Sequence, residues 1–150
     1  MQIISPDKVI RGKTAWKDSL PEIIKITKSP LLLGRSLQTR FLREIISNDL
    51  NELNLNVYNS ELKFDCCEED LTRIYELVKG KECDSIITAG GGKVLDAGKL
   101  LAEYLSVPCI TVPLSASTCA GWTALGNIYT TEGKFVKDVK LKSCPKILVC

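Results

Sequence analysis

Ser85-Ile86-Ile87-Thr88-Ala89-Gly90-Gly91-Gly92-Lys93-Val94-Leu95-Asp96 is the stretch on which the reading of this chain turns. An apolar run breaks into three glycines and then into a helical pattern opened by a lysine. A buried strand, a glycine turn and a helix N-terminus together leave backbone N–H groups pointing outward, where a phosphate can approach closely. The same residues also fit a ligand-free tight turn. The pattern G-x-G-x-x-G fails at Leu95, and the P-loop pattern fails because Ile87 replaces its first glycine and Val94 follows the lysine.

Working outward, Val94, Ala97, Leu101 and Leu105 predict a helix from Lys93 to Leu105, and Val107 to Pro113 a strand after it. Upstream, Lys8 to Arg11 is extended. Trp16, Leu20, Ile23, Ile24 and Thr27 mark a helix over 15–28, and Leu31 to Leu33 a buried strand ending at Gly34-Arg35. Ser36 is placed to cap a helix with Leu37, Phe41, Ile45 and Ile46 on its inner face. Leu53 to Tyr58 reads as a strand. Asp65-Cys66-Cys67-Glu68 reads as a capping box before a helix bearing Leu71, Ile74, Tyr75 and Val78, which Gly80 ends. Asp96 is expected in the first turn of its helix, where a carboxylate suits the dipole. Residues 127–136 suggest a hairpin around Glu132-Gly133, and Lys146 to Cys150 a last strand. Strands alternating with helices predict an α/β, Rossmann-like, mostly parallel sheet covered on both faces, with a β-hairpin near the C-terminus. The loops at 34–35, 90–92 and 114–118 then leave one sheet edge and build one cleft.

Composition limits the function. The chain has 150 residues and a net charge of +2, too small to argue for nucleic acid or a membrane surface. No apolar run approaches the ~20 residues a membrane helix needs, and the first residues do not read as a secretory signal. Seven cysteines in no C-x-x-C spacing suggest a reducing, cytoplasmic setting without a disulfide framework. The absence of histidine removes the commonest general base and metal ligand, and with them Ser-His-Asp and Cys-His catalysis within these residues. Ser115, Ser117, Thr118 and Thr123 supply hydroxyls that either hold a ligand or satisfy their own loop.

Three blocks, in order, carry a family resemblance: Gly-Gly-Gly-Lys-Val-Leu-Asp-Ala-Gly-Lys at 90–99, Val-Pro-Leu-Ser-Ala-Ser-Thr at 112–118, and Ala-Leu-Gly-Asn-Ile-Tyr at 124–129. Together they resemble the glycerol dehydrogenase branch of the metal-dependent (iron-containing) alcohol dehydrogenases, over essentially the whole chain. The resemblance implies that residues 1–150 are an N-terminal NAD(P)-binding domain. The C-terminal helical domain, which would carry zinc or iron, is absent, so neither catalytic residues nor metal ligands are expected in this chain. Full length, such an enzyme would move hydride between an alcohol or polyol and NAD(P), as a homo-oligomer; the chain alone would be inactive. Two other readings stay open: a dehydroquinate-synthase-like lyase domain, and a non-catalytic nucleotide-binding or assembly module.

By the same resemblance, Gly90, Gly91, Gly92 and Lys93 would wrap the pyrophosphate. Ser117, Thr123, Leu125 and Tyr129 would line the nicotinamide side. Arg35 stands where NAD-using members place an acidic residue, so it tilts the expected cofactor toward NADP. Leu114 replaces a common threonine. Cys119 replaces an aspartate that contacts glycerol, and a neutral thiol cannot accept hydroxyl hydrogen bonds as a carboxylate does. The expected substrate is an alcohol or polyol of the glycerol type, and a different alcohol, polyol or aldehyde is expected at least as readily as glycerol itself.

Overall fold

A computed structural model describes residues 4–116 and 118–150. In chain order the elements are β1 (Lys8–Ile10), α1 (Ala15–Ile26), β2 (Pro30–Gly34), a 3-10 turn (Leu37–Thr39), α2 (Arg40–Glu52), β3 (Tyr58–Glu61), α3 (Glu68–Val78), β4 (Ser85–Gly90), α4 (Gly92–Leu105), β5 (Cys109–Pro113), β6 (Leu125–Tyr129), β7 (Phe135–Lys140) and β8 (Ile147–Val149). Six strands form one sheet in the order β1-β8-β5-β4-β2-β3, every pair parallel. The antiparallel hairpin β6–β7 stands apart from it. This is the expected Rossmann-like α/β architecture.

The central strands are buried on both faces because alternate side chains enter different layers. Leu31, Leu33 and Ile86 pack with Leu71, Ile74 and Val78 of α3 and Leu100 and Leu101 of α4. Leu32, Ile87 and Ile110 pack on the other face with Ile23 of α1 and Ile46 and Leu50 of α2. Gly98 sets how closely α4 approaches β4: a Cβ there would lie 2.3 Å from the Thr88 Cβ. Gly80 and Gly133 adopt φ of +77° and +82°, ending α3 and turning the hairpin as glycine permits.

Several local expectations shift. The first helix is shorter than its apolar pattern, stopping at Ile26, and the second is shifted along the chain, starting only at Arg40 and running to Glu52; Ile24 is exposed. The strand expected at 53–58 lies at Tyr58–Glu61, because Leu53 to Leu55 instead close α2 through turn bonds such as Leu55 N–H to the Leu50 carbonyl. In α2 the inner face belongs to Arg43, Ile46 and Leu50; Leu37, Phe41 and Ile45 are exposed. Ser36 does cap, but on the 3-10 turn, accepting the Gln38 N–H.

The end of β2 depends on Arg43. Its guanidinium donates to Thr39 Oγ1 at 2.7 Å, to the Ser36 carbonyl at 3.0 Å and to Glu61 at 2.7 Å. A Cβ at Gly34 would fall 2.0 Å from its Nε. Bare backbone at position 34 is therefore what lets Arg43 lie flat and brace the loop that begins with Arg35.

Candidate functional site

The loops after β2, β4 and β5 meet in one cleft at the carboxyl ends of their strands. From β2 the chain steps outward to β3; from β4 it steps the other way to β5. The cleft therefore sits at the switch point between β2 and β4, where open parallel sheets take their ligands. One half, about 350 Å³, lies between Arg35 and Ser36 on one side and Leu114 and Ser115 on the other, with residues 90–93 as its floor. The other half, about 360 Å³, continues over Lys93 to Thr118, Cys119, Thr123, Leu125 and Tyr129. The structure thus brings together Arg35, Gly90, Gly91, Gly92, Lys93, Cys119, Thr123, Leu125 and Tyr129; Ser117 lies outside the described residues.

The three glycines play different geometric parts. A Cβ on Gly90 would meet the Val94 Cβ at 2.9 Å, and one on Gly92 would meet Thr118 Oγ1 at 3.0 Å. A Cβ on Gly91 would meet nothing within 4 Å. Gly91 is the N-cap of α4, with φ −84° and ψ −178° and no side chain to cap with. The first amides of a helix have no intrahelical acceptor and lie at the positive end of its dipole. Backbone donors facing unfilled space, with Lys93 and Arg35 nearby, fit a phosphate group.

Asp65 organises the charge. It is 3% exposed. Its Oδ2 accepts from Lys93 Nζ at 2.6 Å, and its Oδ1 lies 3.4 Å from Arg35 Nη1 while accepting the Cys66 N–H at 2.7 Å. Lys93 Nζ also sits 4.2 Å over the Tyr129 ring. The hairpin closes over this pair: a Cβ on Gly133 would lie 3.4 Å from Asp65 Oδ2 and 3.5 Å from Lys93 Nζ. The expectation that Asp65 opens a capping box is therefore corrected. The N-cap of α3 is Cys67, without a side-chain cap bond, and Asp70 reaches back to the Phe64 N–H at 2.6 Å.

Asp96 also departs from expectation. It lies one turn inside α4, because the helix begins at Gly92. It is buried, pairs with Lys99 at 3.0 Å and accepts the Asn127 N–H at 3.2 Å. Burial pushes its carboxyl up, against the opposing pull of Lys99 and the Asn127 amide. Lys99, itself buried, donates to Thr123 Oγ1 at 3.1 Å and to the Leu125 carbonyl. This pair fixes the loop and hairpin that present Thr123, Leu125 and Tyr129. Cys119 is exposed in the cleft. Burial pushes the Cys66 thiol far up and Cys109 to about 12, so both are inert apolar fillers.

Among the described residues no group of three or more His, Cys, Asp or Glu side chains could hold a metal ion. No helix is long and apolar enough to cross a membrane.

The family model for iron-containing alcohol dehydrogenases matches residues 6–150. The chain belongs to that family. A glycerol dehydrogenase of Escherichia coli O6:H1 is 30% identical over 148 residues, which cover 98% of this chain and 40% of that protein. An uncharacterised oxidoreductase of Synechocystis is 47% identical over 85 residues, 57% of this chain and 22% of that protein. Among solved structures, glycerol dehydrogenase from Schizosaccharomyces pombe superposes with a TM-score of 0.87 at 24% identity, over 98% of this chain and 37% of that one. Sulfoacetaldehyde reductase from Bifidobacterium kashiwanohense, in complex with NAD+, superposes with a TM-score of 0.74 at 14% identity, over 98% and 45%. These two likenesses establish the fold. The chain spans about two-fifths of the length of the curated glycerol dehydrogenases it matches.

Proposed function

We propose that this chain is the dinucleotide-binding part of an oxidoreductase that moves hydride between an alcohol or polyol and NAD(P). The observation that carries the reading is the cleft at the switch point, floored by a glycine turn whose central residue faces open space. The NAD+ complex of the structural neighbour is in keeping with it. When bound, the nicotinamide supplies the hydride donor or acceptor. The backbone amides at Gly91, Gly92 and Lys93 hold the pyrophosphate, and Lys93 adds positive charge. Arg35 stands over the adenosine ribose and favours a 2′-phosphate there. Thr123, Leu125 and Tyr129 line the nicotinamide half. Cys119 faces the substrate and disfavours glycerol, since its thiol replaces a carboxylate acceptor.

Among the described residues no side chains form a metal site, so no step is assigned to a metal here. The donors belong, on this reading, to a further helical domain, which the length of the relatives accommodates. Fluorescence titration of the 150-residue chain with NADPH and NADH tests the proposal. Saturable binding of both, tighter for NADPH, is expected. No saturation by either overturns the cofactor site, and tighter NADH overturns the role of Arg35. With zinc or iron and a polyol added, the chain alone should form no NAD(P)H.

A further inference from the structure

We propose that Asp65 is a specificity-determining residue that blunts the preference of Arg35 for a 2′-phosphorylated cofactor. The inference rests on the cofactor site proposed above. Asp65 comes from the loop before α3, yet its carboxylate lies between the two cations of the cleft, 2.6 Å from Lys93 and 3.4 Å from Arg35. It is almost wholly buried, whereas the Arg35 side chain is 39% exposed. A carboxylate so shielded from water projects its charge further than a surface one. The two cations serve different parts of a dinucleotide. Lys93, on the glycine turn, faces the pyrophosphate that NAD and NADP share. Arg35, after β2, faces the ribose, where only NADP carries an added phosphate.

Asp65 therefore acts on both cofactors through Lys93 and on NADP additionally through Arg35. Its negative charge occupies one side of the guanidinium and repels the dianionic 2′-phosphate. Removing the charge releases Lys93 for either cofactor, but releases Arg35 only to the benefit of NADP. The ratio of the two affinities isolates the second effect.

The test compares dissociation constants for NADPH and NADH in the wild-type chain, Asp65→Asn, Arg35→Ala and the double variant. Asparagine keeps the acceptor for the Cys66 N–H. Asp65→Ser, whose hydroxyl can accept the same amide, serves if Asp65→Asn does not fold. The expected result is a shift of the ratio toward NADPH by about 3- to 10-fold on loss of one nearby charge. That shift should vanish in the Arg35→Ala background and be reversed by Asp65→Glu. An unmoved ratio, or an equal shift without Arg35, overturns the proposal. Either is distinguishable from failure of the cofactor site itself, in which the wild-type chain binds neither nucleotide.

Discussion

Gly91 and Gly98 separate function from stability in one helix. At Gly91 the backbone lies at φ −84°, a conformation open to any residue, and an added methyl touches no protein atom. Alanine there should change stability by less than about 1 kcal/mol, since restricting the unfolded chain offsets a weaker cap. The methyl instead fills the space a phosphate oxygen needs. Each charge-assisted bond to a backbone amide is worth about 1.5–3 kcal/mol, so losing one weakens binding about 10- to 150-fold. At Gly98 the added carbon falls 2.3 Å from the Thr88 Cβ, and Thr88 is held in place by its hydrogen bond to the Val94 carbonyl. The helix must move off the sheet, at about 3 kcal/mol, which lowers Tm by about 6–12 °C. Thermal melts and NADPH fluorescence titrations on both variants read the two effects. If folded Gly91→Ala binds the nucleotide within twofold of wild type, the pyrophosphate is not seated on this turn.

Lys99→Ala strands the buried Asp96 carboxylate and frees Thr123 and Leu125; a loss of about 3–5 kcal/mol is expected by denaturant unfolding. Thiol labelling of the native chain should reach Cys119 and Cys150 first and Cys66, Cys67 and Cys109 only on unfolding. Bound NADPH should slow labelling at Cys119 but not at Cys150; equal rates would remove Cys119 from the cofactor cleft. Lys25 and Lys8 hold the Glu22 carboxyl down at about 2, against 4.5 for the free group. A carboxyl depressed by folding stabilises above its unfolded pKa and loses that contribution as pH falls. Melts of wild type and Glu22→Gln should therefore converge between about pH 4.5 and 2; a constant difference would show that these lysines do not act through charge.

The sheet was legible because its signals are local and strong. Leu31 to Leu33 and Ser85 to Ala89 are short apolar runs bounded by glycine, and the expected loop edge follows from their alternation with helices. The inner face of α2 was not legible. Phe41 and Ile45 carry the apolar periodicity, but Arg43 is drawn inside by Thr39, the Ser36 carbonyl and Glu61, partners no hydropathy pattern records. Asp65 was misread for a related reason. Asp-x-x-Glu is a local cap pattern, whereas its actual partner Lys93 lies 28 residues away. Asp96 read only as a first-turn carboxylate and Lys99 carried no reading of its own, since their burial depends on the hairpin folding back over α4. That Gly90 to Lys93, Leu125 and Tyr129 line one cleft was legible because the blocks at 90–99 and 124–129 carry them, whereas Arg35 and Thr123 lie outside every block and were placed by position alone.

The contact between Gly34 and Arg43 narrows the evolutionary routes open to this cleft. Any side chain at position 34 would displace the arginine and unbrace the following loop, so that site is closed to drift. Arg35, exposed and held by one loose ion pair, is free to vary. A lineage changing its cofactor would therefore leave its record at positions 35 and 65, with residue 34 fixed, and a directed-evolution library confined to those two codons would vary the charge at that end of the cleft.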